Sequence, residues 1–292
     1  MHDLIFCILE NAVPTVEYFE SHVSKLGIGN QHHVIIYDSM ELHGFFATCR
    51  VWYLLQLMGH EKVSILDGGL QKWESLGFPV TQEIKQYQSQ AYKASFQNKK
   101  IRSCESYAKT IESETAPVVL DARPEELYNG SKLHKPENAV PTVEYFESHV
   151  SKLGIGNQHH VIIYDSMELH GFFATCRVWY LLQLMGHEKV SILDGGLQKW
   201  ESLGFPVTQE IKQYQCQAYK ASFQNKKIRS CESYAKTIES ETAPVVLDAR
   251  PEELYNGSKL HKPGDNIIIL SISQCHLINL QPVRQSIKYD KS

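Results

Sequence analysis

Residues Glu10 to Pro136 recur as Glu137 to Pro263, a 127-residue period in which one position differs: Ser89 in the first copy, Cys216 in the second. A chain written this way must use one set of local instructions twice. The identity extends to exposed lysines and glutamines, where substitutions shift stability by no more than about 0.5 kcal/mol either way, so packing does not require it. It records a recent duplication, or an artefact of how the chain was assembled from exons, rather than a functional constraint. Solenoid repeats run to ~20–50 residues, whereas a unit of this length is domain-sized. The 292 residues admit about two domains.

Composition is that of an ordinary globular chain, with 42% hydrophobic and 21% charged residues and a formal net charge of -4. Basic residues are scattered. The densest basic spot, Lys99 to Arg102 with its copy Lys226 to Arg229, reads as a solvated loop, so no nucleic-acid partner is expected. Seven cysteines without a CxxC pair argue against a disulfide framework or a zinc site, and favour a reducing compartment. Met1 to Val13 lacks the basic start and cleavage pattern of a signal peptide, and no transit peptide is evident. No segment reaches the ~18 apolar residues of a membrane span. No cofactor, metal or membrane partner is expected.

Within one copy, Pro14 opens a helix on which Val16, Phe19, Val23 and Leu26 recur at helical spacing until Gly27. His33 to Asp38 is a β-branched run of the kind buried on both faces of a parallel sheet. An all-round apolar helix follows over Phe45 to Met58, then a strand at Lys62 to Asp67, the pair Gly68-Gly69, and a short helix from Leu70 to Leu76. Thr81 to Arg102 reads as a polar connector, Ser103 to Glu112 as a helix, and Pro117 to Asp121 as a third buried strand. Alternation of this kind predicts right-handed crossovers and a parallel sheet covered on both faces.

Val34 to Asp38, Arg50-Val51-Trp52-Tyr53, Gly59-His60, the block Val63 to Trp73 and Gly77-Phe78-Pro79-Val80 resemble, in order and spacing, the N-terminal domain of tandem-domain rhodaneses, the thiosulfate and 3-mercaptopyruvate sulfurtransferases. Val119 to Arg123 resembles the opening strand of that family's catalytic domain. The resemblance implies an α/β, rhodanese-like three-layer fold. It also implies a family reaction in which sulfane sulfur passes from thiosulfate or 3-mercaptopyruvate to a thiol or cyanide through a cysteine persulfide. In that family the catalytic cysteine ends the central strand and starts a loop of backbone amides. Here Asp38 and Asp165 stand at that position, as in the family's non-catalytic half, and the segment that would carry the cysteine loop after Val246 to Arg250 is replaced by unrelated sequence. Mitochondrial or cytoplasmic placement follows from the resemblance alone.

Sulfur transfer needs a stabilised thiolate. Cys49 and Cys176 are the nearest candidates, at the start of the helix after the loop, although a small buried hydrophobe is the favoured reading of each. Arg123 and Arg250 match an arginine that in the family helps hold the anionic substrate, with a surface salt bridge at the strand end the equal alternative for Arg123, while Leu127 and Leu254 stand where mercaptopyruvate-type enzymes carry a second one. A small sulfur-containing anion is the implied substrate, and no protein partner is indicated. His60 and His187 follow helix-ending glycines and read as cations facing the helix dipole.

The repeat frame and the domain frame are out of phase. Residues 103–209 form one near-complete rhodanese-like unit across the seam, 10–82 a partial domain without an opening strand, 229–263 the opening segment of a further domain, and 264–292 an unassigned tail. The two incomplete pieces either complement each other or leave the first with an unpaired sheet edge. Three functional readings follow: a sulfurtransferase-family protein impaired by loss of the cysteine loop, a non-catalytic binding or regulatory module, and a faulty duplicated gene model. A transcript read across Pro136-Glu137 discriminates the third.

Overall fold

The computed structural model of the chain describes residues 13–39, 46–80, 88–111, 113, 116–123, 140–166, 173–207, 214–238, 240, 243–250 and 281–282. Along the chain the elements are α1 (Val16–Lys25), β1 (Val34–Tyr37), α2 (Phe46–Leu57), β2 (Val63–Leu66), α3 (Gly69–Ser75), β3 (Ile101–Arg102), α4 (Cys104–Ala108), β4 (Val118–Asp121), α5 (Val143–Lys152), β5 (Val161–Tyr164), α6 (Phe173–Leu184), β6 (Val190–Leu193), α7 (Gly196–Ser202), β7 (Ile228–Arg229), α8 (Cys231–Ala235), β8 (Val245–Asp248) and β9 (Gln281–Pro282). Among the described residues no helix is long and apolar enough to cross a membrane.

Local chemistry sets these boundaries. Thr15 takes an extended backbone and its side chain accepts from the Tyr18 amide, so α1 begins there, with Glu17 in its first turn facing the positive helix end. Gly27, at φ 75, ends it in the left-handed region open to glycine. The helix α2 is buried on nearly every side, Trp52, Tyr53 and Leu57 included, which accounts for its lack of a polar face. Gly59 ends it at φ +84, where an added Cβ would lie 2.7 Å from the Ser95 carbonyl oxygen, so only glycine lets the connector approach this closely.

The chain divides into two compact units, each with its own parallel sheet. The second, residues 98–224 and 273–292, has the strand order β3-β6-β5-β4-β9. Its β4 pairs β5 in the register Val118↔Val161 to Asp121↔Tyr164, and among the described residues only the two-residue β9 is antiparallel. Cys104, Tyr107, Val119, Ile162, Tyr164, Leu193 and Trp200 form one of its core clusters.

The first unit is discontinuous, residues 1–97 with 225–272, and has the order β7-β2-β1-β8. Here β1 pairs β8 from Val34↔Val245 to Tyr37↔Asp248, and β2 pairs β7 at Ile65↔Ile228. The stretch read as the opening of a further domain therefore supplies two strands and a helix to the sheet of the first eighty residues. Tyr234 of α8 packs on Trp73 with ring centroids 5.4 Å apart, in a cluster with Ile35, Leu66 and Cys231.

The connector also differs from expectation. Residues 88–97 run along the first unit, where Gln90 donates to the Ser24 carbonyl, Ser95 to Met58 and Gln97 to Leu57. Ile101-Arg102 and Ile228-Arg229 are edge strands, not a solvated loop, with Lys100 over the Trp179 ring and Lys227 over Trp52 at 5.9 and 5.8 Å. The unassigned tail is described only at 281–282.

Candidate site at the carboxyl ends of the strands

A parallel sheet exposes its carboxyl edge where the loops begin, and open α/β sheets bind ligands there. Asp38 follows β1 and Asp165 follows β5 at this edge, each only 5% exposed. The backbone oxygen of each accepts from the first turn of the next short helix, Leu70 to Asp38 and Leu197 to Asp165, both at 2.8 Å. The Thr48 hydroxyl donates to the Asp38 carboxylate at 3.4 Å, and Thr175 to Asp165 at 3.5 Å. The loops that follow, 40–45 and 167–172, lie outside the described residues.

Cys49 and Cys176 sit in the first turn of α2 and α6 with no exposed surface. Cys104 and Cys231 start α4 and α8; their thiols donate to the Asp194 and Asp67 carbonyls at 3.4 Å. Burial pushes the Cys104 thiol up to about 11 and moves Cys231 the same way, so both remain thiols at neutral pH. Cys216 is exposed. Cys7 and Cys275 lie outside the described residues. No cluster of three or more His, Cys, Asp or Glu among the described residues could hold a metal ion.

Arg123 and Arg250 belong to a strand-end brace that is buried rather than the surface salt bridge expected as one reading of Arg123. The Arg123 Nε donates to both oxygens of Asp121, at 3.0 and 2.9 Å, its Nη2 donates at 2.5 Å, and its amide caps the same carboxylate at 2.9 Å. The Tyr164 hydroxyl donates to Asp121 Oδ2 at 2.8 Å, and the guanidinium lies over the Tyr164 ring. Burial works against the Arg123 charge, yet the Asp121 carboxylate prevails and holds the guanidinium more firmly protonated than usual. Arg250, Asp248 and Tyr37 repeat the arrangement in the first unit, Tyr37 donating at 2.7 Å. Burial first, and the Asp248 charge second, push the Tyr37 phenol above the usual tyrosine range, which keeps it a donor. The signal was present in Leu-Asp-Ala-Arg, a strand-end carboxylate two residues before a guanidinium. Leu127 and Leu254 lie outside the described residues.

His60 and His187 require a correction. Both are buried, donate from Nε2 to the carbonyls of His32 and His159 at 3.1 Å, and stack on Tyr92 and Tyr219. Desolvation lowers both, His187 to about 4, so they are neutral at pH 7 and meet no dipole as cations. A histidine whose folded value lies below its unfolded 6.5 leaves the folded state short of a proton, so stability is full above pH 6.5 and falls as pH drops toward 4. At about 1.4 kcal/mol per unit, the loss at His187 is on the order of 3 kcal/mol. Denaturant unfolding of the second unit between pH 6.5 and 4 is expected to show this slope, flattened in His187→Gln; an equal slope in the variant would assign it elsewhere.

Parallel strands alternating with helices, repeated in two units, define an α/β protein of the rhodanese type. The rhodanese-like domain pattern matches residues 9–76 and 103–203, more than half the chain, and the chain belongs to that family. It is 34% identical over 132 residues to the thiosulfate sulfurtransferase of Gallus gallus, covering 43% of this chain and 45% of the relative. It is 30% identical over 131 residues to the human 3-mercaptopyruvate sulfurtransferase, covering 45% of this chain and 43% of the relative. The matched stretch thus spans less than half the length of these relatives. The crystal structure of an Escherichia coli 3-mercaptopyruvate sulfotransferase superposes with a TM-score of 0.54 at 23% identity, over 64% of this chain and 74% of that one, a likeness of fold.

Proposed function

We propose that this chain is a rhodanese-like protein of the sulfurtransferase family in which sulfur transfer itself is impaired. The observation that carries this reading is the pair of buried carboxylates, Asp38 and Asp165, at the strand ends where the family resemblance calls for a persulfide-forming cysteine. A carboxylate can neither accept nor release sulfane sulfur. The nearest thiols, Cys49 and Cys176, have no exposed surface for a donor anion to reach. Arg123 and Arg250, the residues proposed to hold thiosulfate or mercaptopyruvate, each spend much of the guanidinium fork on their own aspartate, and the side chains are 18% and 17% exposed. An anion arriving there competes with a bidentate, charge-assisted partner already in place.

A binding or regulatory role on the same scaffold is the companion reading, in a mitochondrial or cytoplasmic setting; one relative in Arabidopsis thaliana carries a mitochondrial designation. A cyanolysis assay on the purified chain, with thiosulfate and then 3-mercaptopyruvate as donor, is expected to show no turnover above a protein-free blank. Turnover that disappears in Cys49→Ser or Cys176→Ser would overturn the proposal.

A further inference from the structure

The two units are closed by segments of identical sequence. Residues 98–123 and 225–250 match letter for letter. The register Val34↔Val245 of β1 and β8 is the register Val161↔Val118 of β5 and β4, displaced by one repeat. The flanking bonds repeat as well: Ser64 Oγ donates to the Lys226 carbonyl, and Ser191 Oγ to the Lys99 carbonyl, both at 2.9 Å. The surface of residues 13–80 thus recognises its closing segment by strand register and packing, not by chain connection, since that segment arrives from beyond an entire second unit.

We propose that residues 225–250 are an exchangeable closing segment, and that a second copy of this chain is the partner that supplies it. In the resulting dimer, β7, α8 and β8 of each molecule complete the sheet built on residues 13–80 of the other. Every hydrogen bond and buried ring of the closed unit is remade in the exchanged one. The balance therefore depends on the effective concentration of a chain's own segment, which for flexible connections is of millimolar order, and exchange of an identical element is a low-cost route to dimers.

The first unit is the one that opens. Val246 of its closing strand is 37% exposed, whereas the equivalent Val119 is 2% exposed and its strand also carries β9 on its outer edge. The same sequence is held by less apolar burial in the first unit than in the second.

Two full-length versions with different affinity tags, both carrying Cys216→Ser to remove the thiol exposed among the described residues, are unfolded together and refolded under reducing conditions across a range of concentrations. Capture of one tag from the soluble fraction is expected to bring down the other increasingly with refolding concentration, in a species of twice the 33.4 kDa chain mass by light scattering. A complementary pair sharpens the test. Leu247→Asp spoils the segment and leaves its acceptor, while Ile36→Asp spoils the acceptor and leaves its segment, so the two refolded together are expected to co-capture. Two differently tagged Leu247→Asp chains are expected to co-capture far less than the wild type, since only the identical segment 98–123, engaged in the second unit, remains intact. Absence of wild-type co-capture at every concentration, or co-capture of the two Leu247→Asp chains at the wild-type level, would overturn the proposal.

Discussion

Leu247→Asp is expected to unfold the first unit while the second stays native, read as loss of amide-exchange protection in β1 and β2 with β5 and β6 unchanged. Leu247 is a buried member of the closing strand, in register with the fully buried Ile36. The substitution removes its apolar contacts and places a carboxylate inside a parallel sheet, in register with Ile36. Large-to-small replacement of a buried leucine costs ~2–5 kcal/mol, and a buried carboxylate without a partner adds several more. A single unit of this size holds a total stability of ~5–15 kcal/mol, so the loss reaches the scale of the whole.

The mirror substitution Leu120→Asp is expected to unfold the second unit and spare the first. If Leu247→Asp instead left the first unit protected, residues 13–80 would hold together without β8, and the discontinuous unit would be wrong. The pair is informative because the local sequences are identical. Any difference in outcome comes from where each strand is placed.

Much of this architecture could be read from residue types. The runs Val34 to Tyr37, Val63 to Leu66 and Val118 to Asp121 are β-branched and bounded by turns, and all are strands of parallel sheets. What escaped the sequence has physical reasons. Two-residue edge strands such as Ile101-Arg102 are too short to show a period of two, and the basic residues around them resemble a loop. Residues 88–97 bond to the first unit through backbone groups at Gln90, Ser95 and Gln97, which any sequence could supply. His60 and His187 were misread because position after a helix-ending glycine suggests a cation, whereas their rings are stacked beneath Tyr92 and Tyr219 and lose their charge to desolvation. At the candidate site, the strand-end positions of Asp38 and Asp165 were legible because each closes a β-branched run. A strand-end salt bridge of Arg123 was one reading of the sequence, but its burial and its tyrosine partner were not legible, since Tyr164 comes from a strand 43 residues away.

That brace carries the second large effect. Asp121→Asn is expected to cost the second unit about 3 kcal/mol or more, because breaking a buried ion pair leaves its partner charged and uncompensated, at ~3–5 kcal/mol. Asp121 has no exposed surface, and its carboxylate receives Arg123 through three guanidinium hydrogen bonds together with the Tyr164 hydroxyl. An asparagine keeps the shape but presents an amide where two donors converge, so one N–H faces another donor across a distance suited only to an acceptor. Asp248→Asn is expected to cost the first unit less, because its side chain is 13% exposed and water relieves part of the lost pairing. Urea unfolding of both variants, followed by protection of the β5 and β1 amides, measures the two losses separately. The double change Asp121→Asn with Arg123→Met removes the charge along with its partner and is expected to recover much of the loss. Recovery of that kind would make the arginine a structural brace at the strand end. Equal losses in the single and double variants would show that Asp121 acts mainly through Tyr164, and would leave the Arg123 guanidinium available to an anion.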